Sequence, residues 1–155
     1  MSYRSRWSTV MCLALLFALC LPVPVHAVGG GPAPAPVAPR SAEAEYNKGL
    51  QAKAAKRFSE AAADFRRAVD LRPGFAEAWN ELGFALRQTG QFAEALRAYD
   101  EALRLRPNFP DALEYLGEAY VKLGRLDDAK AILQRLGSLD PTRARELEEV
   151  IRAGQ

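Results

Sequence analysis

The chain has 155 residues, with 21 Lys and Arg against 19 Asp and Glu, two cysteines and a single histidine. That length holds one compact unit, and a balance so near neutrality argues against a nucleic-acid binder or a generally basic membrane-surface protein. Cys12, Cys20 and His26 all lie before Ala27, so the rest of the chain can form no thiolate or imidazole metal cluster, no Ser-His or Cys-His nucleophile pair and no imidazole acid or base.

Residues 1–27 read as a secretory signal peptide. Arg4 and Arg6 give a positive start, residues 10–21 form an uninterrupted apolar run of 12, Pro22 and Pro24 interrupt it, and Val25, His26 and Ala27 offer small or modest side chains for a signal peptidase. The run is shorter than the roughly 20 apolar residues a spanning helix needs. Cleavage after Ala27 is expected; the alternative is an inner-membrane anchor through an uncleaved N-terminal segment. Leu19 before Cys20 is bulky for a lipoprotein signal. Cleavage leaves 19 charges of each sign and no cysteine, a chain able to enter an oxidising compartment held together by packing alone. The expected location is the periplasm or outside the cell, with no stable membrane insertion after cleavage.

Residues 28–41, VGGGPAPAPVAPRS, form a Gly/Pro/Ala-rich linker. Proline fixes the backbone angle φ and lacks an N–H donor, so Pro32, Pro34, Pro36 and Pro39 favour an extended spacer over helix or central strand.

Beyond it the chain repeats itself. Blocks 76–109 and 110–143, each 34 residues, align Trp79 with Leu113, Leu82 with Leu116, Gly83 with Gly117, Gly90 with Gly124, Ala95 with Ala129, Tyr99 with Leu133 and Pro107 with Pro141. One step back, residues 42–75 keep the register through Gly49, Ala52, Ala61, Phe65, Ala68 and Pro73. In the first copy, residues 42–55 and 58–71 are predicted helices, with Tyr46, Gly49, Leu50 and Ala52 on one face. Glu45 and Lys48 stand where the next copy has Trp79 and Leu82, and Lys56 where Gly90 makes the turn. Such polar exchanges are expected to face solvent at the end of a stack.

The second copy is the cleanest. Trp79, Leu82 and Leu86 recur at helical spacing, as do Phe92, Ala95, Leu96, Tyr99, Ala102 and Leu103 on the partner helix. Gly83 is expected at a close helix crossing, and Gly90 at a turn that needs a positive φ. Leu113, Leu116, Tyr120 and Leu123, then Leu126, Ala129, Ile132, Leu133 and Leu136, continue the core through the third copy. Asp140 before Pro141 is a helix-start signal, so residues 142–153 are predicted as a seventh helix. Its Leu147, Val150 and Ile151 should cover the last hairpin while Arg143, Arg145, Glu146, Glu148, Glu149 and Arg152 face water.

The middle copy reads W-N-E-L-G-F-A-L, then A-L-R-A-Y-D-E-A, then P. This resembles the tetratricopeptide repeat (TPR) family, with its W-x2-L-G-x2-Y, A-x3-F-x2-A and P positions. The resemblance implies an all-α fold: a right-handed superhelical stack of three antiparallel helix pairs plus a C-terminal capping helix. The copies run over 42–75 (degenerate), 76–109 and 110–141, with the cap at 142–155, and the array is expected to start and end inside this chain.

The resemblance also implies a partner-binding groove along the first helix of each pair. Carried onto this chain, its positions are Tyr46 and Leu50, with Glu43 and Lys53 nearby; then Glu77, Asn80, Glu81, Phe84 and Arg87; then Asp111, Glu114, Glu118 and Lys122, with Tyr115. One subgroup of the family holds a terminal carboxylate with Lys, Asn and Arg at such positions. Here Tyr46, Leu50, Glu81, Asp111 and Tyr115 stand there instead, and acids repel an anionic tail. The expected partner is a protein or peptide with some basic or polar character and an apolar anchor near Phe84. Exchanging Glu81, Asp111 and Glu114 together for Lys should weaken its binding and leave helicity intact. Tyr46 and Phe84 have a purely structural alternative as packing residues, and the acids one as solvated surface.

No enzyme, cofactor or metal is expected. Adjacent acids such as Asp127 and Asp128 do not converge on one centre, as paired-carboxylate catalysis requires, and Gly29, Gly30 and Gly31 lack the strand, Lys and Ser/Thr of a phosphate loop. The expected function is a non-enzymatic protein–protein interaction module in the cell envelope. The alternatives are a self-associating scaffold subunit and, less favoured, a small-ligand or glycan binder.

Overall fold

A computed structural model of the chain describes residues 41–154; the signal peptide expected at 1–27 and nearly all of the linker lie outside the described residues. Seven helices follow one another: α1 (Ala42–Ala54), α2 (Phe58–Leu71), α3 (Ala76–Gln88), α4 (Phe92–Leu105), α5 (Pro110–Lys122), α6 (Leu126–Gly137) and α7 (Pro141–Ala153). Each packs on the next, and α5 also meets α3 and α7. The result is the expected all-α stack: three antiparallel pairs and a terminal helix.

The chain reverses inside each pair through one repeated turn. The amides of Arg57, Gln91 and Arg125 donate to the carbonyls of Ala52, Leu86 and Tyr120, each at 2.9 Å. The residue before each donor is left-handed: Lys56 (φ 57°), Gly90 (φ 78°) and Gly124 (φ 69°). Glycine takes that conformation without a Cβ clash, so the first copy carries the strain. Between pairs, Pro110 and Pro141 open α5 and α7. The Asp140 side chain accepts hydrogen bonds from the amides of Thr142 and Arg143, at 3.0 and 3.1 Å, and fixes where α7 starts.

The core runs as one apolar band through Phe65, Leu82, Leu86, Tyr99, Leu113, Leu116, Leu136 and Leu147. Gly83 permits the close crossing expected of it: a Cβ there would lie 2.6 Å from the Tyr99 ring. The contact is thus helix backbone to aromatic ring, not backbone to backbone. In the third pair a Cβ at Gly117 would lie 2.5 Å from Leu147, so α7 supplies the large residue at this glycine.

Two expectations are corrected. Glu45 does not face solvent. It is 1% exposed, bound by Arg67 at 2.9 Å and by Lys48 at 2.9 Å, and these hydrogen bonds, Arg67 first, hold its carboxyl down at about 2. An ion cluster therefore replaces the apolar wall that Trp79 gives the second pair. Arg143 does not face water either. It is drawn in against α5, where Asp111 (2.6 Å) and Glu114 bind it, with Asp140 at 3.4 Å.

Candidate functional site

The first helices of the pairs are joined laterally by ion pairs. Lys53 of α1 meets Glu81 of α3 at 2.5 Å, Arg87 of α3 meets Glu118 of α5 at 2.7 Å, and Glu114 of α5 meets Arg143 of α7. These contacts bring Lys53, Glu81, Arg87 and Glu118 of the expected groove positions together across α1, α3 and α5, with Glu114 tied to α7.

At the middle of that surface lies Phe84, half-buried on α3. Its ring centroid is 6.1 Å from that of Phe58 and 5.4 Å from that of Tyr115. Lys53 Nζ lies 4.3 Å from the ring centre and the Arg87 guanidinium 5.5 Å, in cation–π range. The Arg87 guanidinium is also 5.5 Å from the Tyr115 ring. Phe84 is therefore a packing residue between repeats and a partly open apolar surface at once. Burial, reinforced by Glu114 and Glu81, raises the Tyr115 hydroxyl above its ordinary pKa, so it stays a neutral donor.

Other positions are used internally. Tyr46 packs between Phe65 (5.6 Å) and Phe75 (4.8 Å), and burial raises its hydroxyl pKa. Leu50 is half-buried against the core. Asn80 and Glu114 are buried. Burial raises the Glu114 carboxyl, with Arg143 opposing. Lys122 is exposed at the end of α5 and makes no ion pair among the described residues.

The acidic character expected from the sequence is offset. Glu77 pairs with Arg106, Glu81 with Lys53, Asp111 and Glu114 with Arg143, and Glu118 with Arg87. Burial alone would raise the Glu77 carboxyl, but hydrogen bonds from the backbone and Arg106 bring it below its ordinary value. Exchanging Glu81, Asp111 and Glu114 for Lys thus does not separate binding from folding, because lysine at position 114 would set a second cation against Arg143. The neutralising arginines were missed by sequence reasoning, although a signal was present. Glu43–Arg72 and Glu77–Arg106 are the same contact one repeat apart, and Arg72 and Arg106 also cover Phe75 and Phe109.

Three buried polar atoms here lack a hydrogen-bond partner among the described residues: Asn80 Oδ1, Arg87 Nε and the Tyr99 hydroxyl. Burial raises the Tyr99 hydroxyl far above the ordinary tyrosine pKa, so it too is a neutral donor. Among the described residues, no His, Cys, Asp and Glu cluster is arranged to hold a metal ion, and no helix is long and apolar enough to cross a membrane.

No curated protein matches the chain. Among solved structures, it is similar to the TPR domain of Arabidopsis OM64, with 21% identity over 74% of this chain and 97% of that one, TM-score 0.70. The first TPR of Spaghetti (RPAP3), bound to an HSP90 peptide, matches at 23% identity over 73% and 92%, TM-score 0.68. The TPR2B domain of yeast Sti1, in a complex with pHsp70, matches at 19% over 73% and 94%, TM-score 0.69. At these identities the likeness is one of fold. The profile of the tetratricopeptide repeat matches residues 52–97 and 86–149, more than half of the sequence. With its repeated turns and 34-residue period, the chain belongs to the tetratricopeptide repeat family.

Proposed function

We propose that this protein is an exported, non-enzymatic adaptor with three repeats, which holds a partner protein or peptide along the surface of α1, α3 and α5. One observation carries the reading. Around the half-open Phe84, side chains from four helices meet, an aromatic surface edged by Lys53 and Arg87 that an apolar side chain of a partner would complete. Because the acids are internally paired, the partner's polar groups matter more than net positive charge.

The similar Spaghetti domain is described as bound to an HSP90 peptide, and the Sti1 domain as in a complex with pHsp70. Here Tyr46, Leu50, Glu81, Asp111 and Tyr115 depart from a carboxylate-binding set, which favours a different partner class. Export to the periplasm or beyond rests on the sequence of residues 1–27 and on the Pro-rich spacer after it, taken as a tether.

Comparative capture tests this reading. The full chain and a Phe84→Asp variant are used as baits in an envelope fraction, with mass spectrometry of the bound proteins. The expected result is a partner recovered about tenfold less by the variant, compared at a temperature where circular dichroism shows both baits folded, since Phe84 also packs on Phe58 and Tyr115. Identical recovery by both baits would reject the groove. Light scattering separates the scaffold alternative: dimers that Phe84→Asp dissolves would mean the partner is a second copy.

A further inference from the structure

Across α3 from the groove, α2, α3 and α4 border a cavity of about 120 Å³. Leu86 and Phe84 are two residues apart on α3, so their side chains point about 160° apart around the helix axis. The cavity therefore opens on a different face from the groove.

Its floor is apolar, made by the buried Leu82, Leu86 and Ala98. The Trp79 indole forms one wall, held by a hydrogen bond from Nε1 to the Pro73 carbonyl at 2.8 Å. The rim is charged. Arg66 binds Glu94 at 2.8 Å, whereas Arg97 is exposed and makes no ion pair among the described residues. Arg97 also acts on Glu94 through space, so the rim, two arginines and one glutamate, is positive on balance above a space far larger than the roughly 10–15 Å³ that one water needs.

Repeat packing alone does not produce this combination. Thirty-four residues on, Asp100 stands for Arg66, Asp128 for Glu94, Ala131 for Arg97 and Tyr120 for Leu86. At the equivalent seam between the second and third pairs, Arg125 binds Asp128 at 2.8 Å and acts on Asp100, and no arginine stands at the Arg97 position.

We infer that the cavity is a second docking site, which takes an acidic segment of a partner protein: an aliphatic side chain against Trp79, with a neighbouring carboxylate on Arg97. A basic segment would meet the net positive charge that Arg97 leaves on the rim. A wholly apolar one would leave Arg97 unmatched. Trp and Arg are also the side chains that most often dominate binding energy at interfaces.

Nuclear magnetic resonance on the full chain, titrated with the blocked tripeptide acetyl-Asp-Leu-Asp-amide, tests the site. Saturable shifts of the Trp79 indole and the Leu82 and Leu86 methyls are expected, with no shift at Phe84 or Tyr115. Binding should fall about three- to fivefold for the Asn-Leu-Asn peptide and for the Arg97→Glu variant, the scale of one partly exposed ion pair. It should fall further for Asp-Ala-Asp. Absence of saturable shifts, equal binding of the neutral peptide, indifference to Arg97→Glu, or shifts at Phe84 and Tyr115 instead would each overturn the proposal.

Discussion

Arg143→Met tests how the terminal helix is held. Arg143 binds Asp111 at 2.6 Å and also Glu114, which is 7% exposed. Methionine keeps much of the stem's packing and removes the charge, leaving Glu114 buried without its cation. Breaking a fully buried ion pair costs roughly 3–5 kcal/mol. A third of the Arg143 side chain is exposed, so solvent screening reduces the expected loss to about 1–3 kcal/mol. Urea unfolding of the parent, Arg143→Met, Glu114→Gln and the double variant measures it. The double variant should cost less than the sum of the singles by about 1 kcal/mol.

The pH response follows from the Glu114 shift. Its carboxyl is raised in the fold by burial, so the unfolded chain releases that proton at lower pH than the folded one. Stability from this group is present below the unfolded pKa and lost as pH rises through the folded pKa. Arg143→Met removes the opposing cation, so the variant's deficit should shrink as pH falls from 7 toward 5. Additive single effects, or a deficit independent of pH, would refute the pairing as the force that holds α7.

Other perturbations test the rest of the frame. Lys56→Gly should stabilise the chain by about 0.5–1 kcal/mol, because glycine relieves the left-handed backbone at φ 57° at some cost in chain entropy; a loss of stability in thermal unfolding would contradict it. Gly83→Leu should cost roughly 1–3 kcal/mol in denaturant unfolding even after the gain of about 1 kcal/mol in helix propensity, since its Cβ meets the Tyr99 ring. Glu94→Ala, which removes an exposed ion pair with Arg66, should cost less than Gly83→Leu, and the reverse ranking would be inconsistent with this packing. The depressed Glu45 carboxyl adds stability at neutral pH that is lost as pH falls from 4.5 toward about 2. Amide protection in α1, taken relative to intrinsic exchange at each pH, should fall through that window, and Glu45→Gln should abolish the fall.

The helices and their order were legible because the pattern is local. Apolar residues at three- and four-residue spacing mark each buried stripe, glycine marks two of the turns, and proline closes each repeat. Phe84 was singled out through the family resemblance, and the structure shows it half-buried between Phe58 and Tyr115. The partners of the groove acids were not, since Glu81 finds Lys53 and Glu118 finds Arg87 only when successive first helices lie side by side. Counting charges along one helix therefore overstated its acidity. Glu45 misled in a related way. At a terminal repeat a carboxylate reads as solvated, yet Arg67, 22 positions later, folds back and buries it.

By itself, then, the sequence determined a periodic all-α stack, because helix period, turn glycines and repeat length depend on neighbours within one hairpin. Tertiary structure decided which charges remain free. Ion pairing depends on distances between helices that are far apart in the chain, and a few ångströms separate a neutralised acid such as Glu118 from a cation outside any ion pair among the described residues, such as Arg97. Which faces can recognise a partner follows from that second level.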